Sequence, residues 1–336
     1  MTNIKQELEK INQSMAAAPA GTQLNHISLF PGITLCFITF QTDHLQVQYE
    51  PLEHILEINY CHAGRMGWRM GSGHHVYLGP GDFSIHMMET CAHSAFSLPT
   101  SHYEGITLYI DLSVLEDDPP ELFRDTSFSA KALQEKYCKD ISFTSLAGTQ
   151  KSQTIFEGFY AQSETLQESL WKLKALETLL YLAELTPQPK DHLTEYQSEQ
   201  IHIIHQIQAY LTENLQQRIT IDELSRQYPI NPTTLKQVFK SVYGTSIAAY
   251  VTQCRMTHAA KLLRSTDAPL SEIAHEVGYS SQSKFSAAFK KQHQILPSDY
   301  RRIPEEEILV FCKIYRPAFR NAAGVMPTFL RNFSMK

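Results

Sequence analysis

The sequence predicts an α+β protein in two parts: an N-terminal β barrel with trailing helices, then an all-α domain with two helix-turn-helix units. Three observations predict it. From His26 to about Asp111, short apolar runs such as ITLCFITF, LEHILEINYC and YEGITLYIDL alternate with Gly, Pro, Asn and Asp, the pattern of short strands in a barrel or sandwich. From Glu164 to Leu185, Leu166, Leu170, Leu173, Leu176 and Leu180 step by three or four, the spacing of one helical stripe. In the last hundred residues one two-helix pattern occurs twice, about fifty residues apart.

The clearer copy is Leu270–Lys291. Ile273, Ala274 and Val277 line one face of a short helix. Gly278 stops it, because glycine takes the left-handed conformation without a Cβ penalty. Ser280 or Ser281 can cap the next helix through its hydroxyl. Phe285, Ala288 and Phe289 form that helix's buried stripe, and small Ala274 lets the two helices approach. Gln282, Ser283, Lys284, Ser286 and Lys290 occupy the other face. Short donors and acceptors plus cations suit base edges and phosphates. In the earlier copy Leu224-Ser225 answers Ile273-Ala274, Phe239-Lys240 answers Phe289-Lys290, and Tyr250 answers Tyr300. Asn231-Pro232-Thr233-Thr234-Leu235 opens its reading helix with a cap and a proline at the first position. A connecting helix over about Ile247–Leu263 would be about 25 Å long at 1.5 Å per residue. That length holds two reading helices roughly one DNA turn apart on one face of a duplex.

The 336 residues divide into a β-barrel domain with trailing helices over 1–185, a linker over 186–199, a helical DNA-binding domain over 200–302, and a tail over 303–336 of no assigned role. Residues 1–24 are polar or Ala-rich, with a short helix expected at Ile4–Ile11. Residues 112–128 read as loop, and Ala130–Cys138 and Gln153–Gln162 as helices. The leucine seam packs on its own β domain or against a second copy; both readings stay open. No apolar run approaches the roughly 18–20 residues of a membrane span. The N-terminus MTNIKQELEK has no apolar signal region. Cys36, Cys61, Cys91, Cys138, Cys254 and Cys312 are scattered without a C-x-x-C pair. A cytoplasmic protein with reduced thiols is expected. The net charge of −6 is uneven: residues 200–302 hold 12 Lys and Arg against 7 Asp and Glu, a local excess of +5. Screening acts over about 10 Å, so this local charge is what a duplex would meet.

The segments ITIDELSRQYPINPTTLKQVFKSVYGTSIAAYV, CRMTHAAKLL and LSEIAHEVGYSSQSKFSAAFKKQHQILPSDYRR closely resemble the AraC/XylS family of bacterial transcription regulators, over about 100 of the 336 residues. The resemblance implies seven helices and two helices inserted into the major groove. It implies base readers at Thr233, Lys236 and Gln237 in the first unit and at Gln282, Ser283 and Ser286 in the second. Thr234, Lys240, Ser281, Lys284 and Lys290 complete the candidate DNA face. The chain departs from the family pattern at Pro229, at Ala287, where Arg is common, at Gln294, where Gly is usual, and at Leu296, where Ser or Thr precedes the proline. The second unit is therefore expected to grip more weakly, through Lys284, Lys290 and Lys291 to phosphate. The N-terminal part resembles cupin-like sensor domains through Gly79-Pro80-Gly81-Asp82 and His93. That implies a small-molecule effector inside the barrel, with Tyr60, Arg65, Trp68, Tyr77, His86 and His93 as candidate lining residues. The implied partners are double-stranded DNA, the effector, a second copy in a homodimer, and RNA polymerase.

Two other functions compete. A metal-dependent cupin enzyme would need a facial set of His and carboxylate ligands. Histidines are abundant, at His54, His62, His74, His75, His86, His93 and His102, but no H-x-H with a following Glu stands at the spacing such sites use. A ligand-independent dimeric DNA binder needs no pocket. No catalytic triad order, Walker loop or dinucleotide fingerprint is present. The reading is a non-enzymatic regulator with no cofactor and no metal.

Overall fold

The computed structural model describes residues 4–14, 21–42, 44–45, 52–70, 73–91, 96–124, 126–139 and 143–303. His93, Cys312 and the rest of the tail beyond Ile303 lie outside these described residues, as does the Cys91 side chain. The chain splits into two compact units, Met1–Tyr196 and Gln197–Lys336.

The first unit contains strands β1 (Gln23–Phe30), β2 (Ile33–Phe40), β3 (His44–Leu45), β4 (Ile55–Gly64), β5 (Met66–Arg69), β6 (His74–Leu78), β7 (Phe83–Met87), β8 (Phe96–Ser97), β9 (Tyr103–Asp111) and β10 (Phe143–Leu146), and the two-residue strand β11 (Tyr196–Gln197) falls at its boundary. They form a six-stranded sheet, in order β1-β2-β9-β4-β7-β10, and a five-stranded sheet, in order β11-β6-β5-β8-β3. Strand alternation gives the large sheet two unlike faces. Leu56, Ile58 and Tyr60 of β4 pack toward the helices, while Ile55 and Cys61 face the small sheet, with Met66, Trp68, Val76 and Leu78 opposite. The two sheets are joined where β4 turns into β5 at Arg65 and where β6 turns into β7 through Gly79-Pro80-Gly81-Asp82. The Asp82 carboxylate accepts from the Gly79 N–H at 2.9 Å and the Gly148 N–H at 3.2 Å. Gly81 sits at φ +91°, where a side chain would be strained. The sharpest N-terminal sequence motif is thus a structural corner.

The helices of this unit are α1 (Ile4–Ser14), α2 (Met88–Cys91), α3 (Leu112–Asp117), α4 (Glu121–Arg124), α5 (Ala130–Cys138), α6 (Gln150–Glu157) and α7 (Gln167–Glu184). The loop expected over 112–128 contains α3 and α4. The Asp111 side chain caps α3 by accepting from the Ser113 and Val114 N–H groups, and Leu112, Leu115 and Phe123 are buried. Short helices anchored by two or three apolar residues leave too little periodicity to read. The expected linker does not run free either. The Leu193 N–H donates to Ser145 O at 3.0 Å and the Ala147 N–H to Asp191 O at 2.8 Å, which lays residues 191–193 along β10.

The α7 leucine seam divides. Ala175, Leu176, Leu179 and Leu182 are buried in the helix-side core. Leu166, Leu173 and Leu180, seven residues apart, are 60%, 63% and 39% exposed. Seven residues return a helix to nearly the same angle, so these three make one outward stripe.

The second unit is helical among its described residues: α8 (Ser198–Glu213), α9 (Ile221–Gln227), α10 (Pro232–Tyr243), α11 (Ile247–Ser265), α12 (Leu270–Glu276), α13 (Gln282–His293) and α14 (Pro297–Arg302). The core around the second helix-turn-helix joins Met256, Ala259, Ala260 and Leu263 of α11 to Ile273, Ala274, Val277, Phe285, Phe289 and Tyr300.

Candidate nucleic-acid interface

Each helix-turn-helix unit is set by a turn and a cap. In the first, the Thr220 hydroxyl accepts from the Glu223 N–H while the Glu223 carboxylate accepts from the Thr220 N–H at 2.7 Å, a capping box that starts α9. The turn closes with the Tyr228 N–H to Leu224 O at 2.9 Å and the Ile230 N–H to Tyr228 O at 2.7 Å around Pro229. Asn231 then caps α10, its Oδ1 accepting from the Thr233 N–H at 3.1 Å and the Thr234 N–H at 2.9 Å. In the second unit α12 ends with the Tyr279 N–H on Ala274 O at 2.8 Å and Gly278 at φ +80°. A Cβ on Gly278 would lie 2.7 Å from Leu215 O and 2.9 Å from the Arg255 guanidinium. Ser281, rather than Ser280, caps α13 by accepting from the Lys284 N–H. The turn from C-cap to N-cap runs from Val277 to Ser281 here but only from Tyr228 to Asn231 in the first unit, one residue shorter.

Burial then sorts the two reading helices. Leu235, Val238, Phe239, Val242 and Tyr243 of α10 face inward, and Thr233, Lys236, Gln237 and Lys240 are exposed. Thr234 is half-buried, and its hydroxyl oxygen accepts from Asn231 Nδ2 at 2.8 Å. Phe285, Phe289 and His293 of α13 are buried; Gln282, Ser283, Lys284, Lys290 and Lys291 are exposed, as is Ser281 at the cap, with Ser286 half-buried. The candidate residues thus form one outward polar face on each reading helix, with Thr234 and Ser281 partly committed to their own caps.

Sequence reasoning missed Arg255, on α11. Its Nε donates to Leu215 O at 2.7 Å and Nη2 to Gln217 O at 2.8 Å, just beyond α8. Its guanidinium lies 5.9 Å from the Tyr279 ring, in the second unit's turn. One side chain therefore ties the connector to both units. The arginine in CRMTHAAKLL was visible, but nothing local to that segment says that its targets are carbonyls forty residues away. Arg264 and Arg301 are likewise committed, donating to Ile303 O and Ala268 O. The local positive excess that remains for phosphate rests mainly on lysines.

The N-terminal candidates do not meet in one place. Trp68 belongs to the core between the sheets, and alternation turns His86 inward too. Tyr60 lies on the helix side, stacked 4.7 Å from Phe156 and donating to Glu157 at 2.6 Å. Arg65 and Tyr77 lie together on the outer face of the small sheet. The inward side chains form two register rows rich in polar groups: Cys36, Thr107, Asn59, Ser84 and Ser145, then Thr34, Tyr109, Glu57, His86 and Phe143. Thr107 donates to Asn59 Oδ1 at 2.6 Å, Asn59 meets His86 Nε2 at 3.0 Å, and His86 Nδ1 meets Met87 O at 3.2 Å. Burial pushes Glu57 up to about 8, against the lowering hydrogen bond from Asn59, and His86 down to about 4. Their 3.8 Å approach is therefore a contact of neutral groups near pH 7. Among the described residues no group of three or more His, Cys, Asp or Glu is placed to hold a metal ion, and no helix is long and apolar enough to cross a membrane.

Residues 224–303 match the family model described as a helix-turn-helix domain. The regulatory protein SoxS of Escherichia coli (strain K12) is 34% identical over 99 residues, covering 30% of this chain and 92% of SoxS. The transcriptional regulator ExsA of Pseudomonas aeruginosa is 28% identical over 131 residues, 39% of this chain and 47% of ExsA. Among solved structures, the C-terminal domain of AraT, a response regulator from Geobacillus stearothermophilus, is 36% identical, with a TM-score of 0.29, covering 31% of this chain and 88% of that one. With nearly the whole of SoxS matched at this identity, and both reading helices inside the matched span, the chain belongs to the AraC family of DNA-binding transcription regulators.

Proposed function

We propose that this regulator is controlled by a small molecule held in the first unit, acts as a homodimer, and reads one DNA face through Thr233, Lys236 and Gln237 on α10 and Gln282, Ser283 and Ser286 on α13. Lys240, Lys284, Lys290 and Lys291 grip phosphate. The observation that carries the reading is the pair of outward polar helix faces tied to one connector by Arg255. The α7 stripe of Leu166, Leu173 and Leu180 supports the dimer, because three exposed leucines at one angle are a ready helix–helix seam. It runs at Leu180 into an open groove of about 760 Å³ lined by Phe128, Leu133, Lys136 and Glu184. RNA polymerase is the partner through which bound regulator would act on transcription.

The second reading is a dimeric binder with no effector. The hydrogen-bond chain from Thr107 through Asn59 and His86 to the Met87 carbonyl favours it, since those side chains find their partners within the protein. One experiment separates the two. The full chain selects sites from random duplex DNA, and binding to the selected site is measured at two salt concentrations with and without cell extract. Selective binding that extract alters supports the sensor; selective binding that extract never alters supports the constitutive dimer. Absence of selection at either salt sinks the DNA-reading assignment.

A further inference from the structure

The two reading helices can be compared place by place. Leu235 and Phe239 of α10 answer Phe285 and Phe289 of α13, and all four are buried. At about 100° per residue, the residue two beyond the first of each buried pair points directly away from that pair. It is Gln237 on α10 and Ala287 on α13, and both are exposed. With the helix lying in a major groove, that central side chain is the one aimed at the groove floor. The flanks differ as well. On α13, Lys284 and Lys291 lie about 40–60° to one side of Ala287, and Ser283 and Lys290 about 40–60° to the other. On α10 the matching places hold Thr234 and Ser241 on one side and Thr233 and Lys240 on the other, with Lys236 further round on that same side. Lysines thus flank the centre of α13 on both sides and that of α10 on one.

Lys284, Lys290 and Lys291 are exposed, and among the described residues none of them makes an ion pair. Their long stems can reach phosphates on either rim of a groove about 12 Å wide, which would hold α13 from both strands. Between them stand only Ser283 and Ala287, so nothing long keeps the helix backbone off the groove floor. Ala287 has no polar atom with which to read a base edge. The one apolar feature a base presents in the major groove is the 5-methyl group of thymine, and an alanine methyl is a partner for it. Gln237, at the same place on α10, has instead an amide suited to a two-pronged contact with adenine.

We propose that Ala287 is a specificity-determining residue of the second unit and selects a thymine through its 5-methyl group, with Lys284 and Lys291 on the phosphates of one strand and Lys290 on those of the other. The proposal rests on the DNA-reading role given to α13 above. It makes the two units unlike in kind: the first reads with a hydrogen-bonding centre, the second with an apolar centre between two cationic rims.

The test uses the full chain and the duplex site it selects from random DNA. Uracil, which is thymine without its methyl, replaces each thymine of that site in turn. One replacement is expected to weaken binding of the parent about fourfold, the worth of one buried methyl group, and to leave binding of Ala287→Gly unchanged. Ala287→Gln, which copies Gln237, is expected to move the preference at that base pair from thymine to adenine. Lys284→Ala and Lys290→Ala should each lower the salt slope by about one without altering the preference there. If Ala287→Gly fails to fold, Ala287→Gln decides alone. A selected site in which no thymine methyl matters, or a methyl effect of equal size in the parent and both Ala287 variants, overturns the proposal and leaves the DNA-reading role of α13 standing. A changed base preference at that pair in Lys284→Ala overturns the central placement of Ala287. Failure to select any site sinks the DNA-reading assignment itself, and the proposal with it.

Discussion

His293 shows how one position can set the pH range of a whole unit. It is 1% exposed and packs 4.3 Å from the Phe289 ring. Burial lowers it to about 4, against a raising hydrogen bond that the ring donates to the Met256 backbone. Between pH 6.5 and 4 the unfolded chain takes a proton that the folded unit refuses, so stability is full above about pH 6.5 and falls as pH drops to 4. The loss reaches about 3 kcal/mol at about 1.4 kcal/mol per pH unit. Urea midpoints of the fragment 197–303 at pH 7.5 and 4.5 should differ, and His293→Tyr, which copies Tyr243 of the first unit, should shrink the difference. An unchanged difference would place the acid sensitivity elsewhere. Two neighbours are also second-unit departures with a physical cost. Gln294 holds a left-handed φ of +59° where Gly244 stands in the first unit at +74°. Leu296 opens α14 with no side-chain cap, where Ser246 caps α11. Gln294→Gly relieves strain at the price of backbone entropy, and Leu296→Ser supplies an acceptor. Together they are expected to stabilise the unit by about 1–2 kcal/mol in chemical denaturation. A fall in stability would show that these positions are compensated by packing.

At the scale of elements, α11 is the part whose alteration should be felt at a distance. Arg255→Ala removes the bonds to Leu215 and Gln217. It is expected to weaken binding to a selected two-part site while leaving half-site binding within about twofold, because the reading faces are untouched. Insertion of one base pair between the halves should then cost the variant less than the parent. Equal losses on full and half sites would mean that Arg255 merely holds the fold. On the reading helices, Lys236→Ala and Gln237→Ala should each cost about 1–3 kcal/mol on the selected site if the contact is bidentate. Lys290→Ala should instead weaken all sequences alike and lower the salt slope by about one. The helical unit was legible because its signals are local: a cap at Asn231, a glycine at 278, a stripe at Phe285 and Phe289 lie within one turn or two of what they organise. The first unit was less so. Strands were visible, but which of Tyr60, Arg65, Trp68, Tyr77 and His86 shared a surface depended on pairing among β4, β5, β6 and β7, a register no single run of residues carries. The leucine seam fell between these cases, since periodicity gave its helix but not which leucines the sheet would cover.

At the scale of the whole molecule, the segment that matches the helix-turn-helix family model lies entirely within the second unit. The fragment 197–303 should bind the selected site by itself, more weakly than the full chain, since it contains both reading helices and the whole span matched by the helix-turn-helix family model. Leu173→Asp should lower self-association of the full chain in sedimentation and leave the fragment's DNA affinity unchanged. A full chain that is monomeric before the substitution would remove the α7 seam from consideration. A last consequence follows from the unequal turns of the two helix-turn-helix units. With Val277–Ser281 one residue longer than Tyr228–Asn231, and with lysine and glutamine outward on α10 against glutamine and serines on α13, a single protomer is not a mirror of itself. The stretch of duplex it occupies then has a head and a tail, like an arrow. Turning that stretch end for end beside a gene would point the first unit the other way, so orientation, and not only presence, of the site would govern what the bound regulator faces.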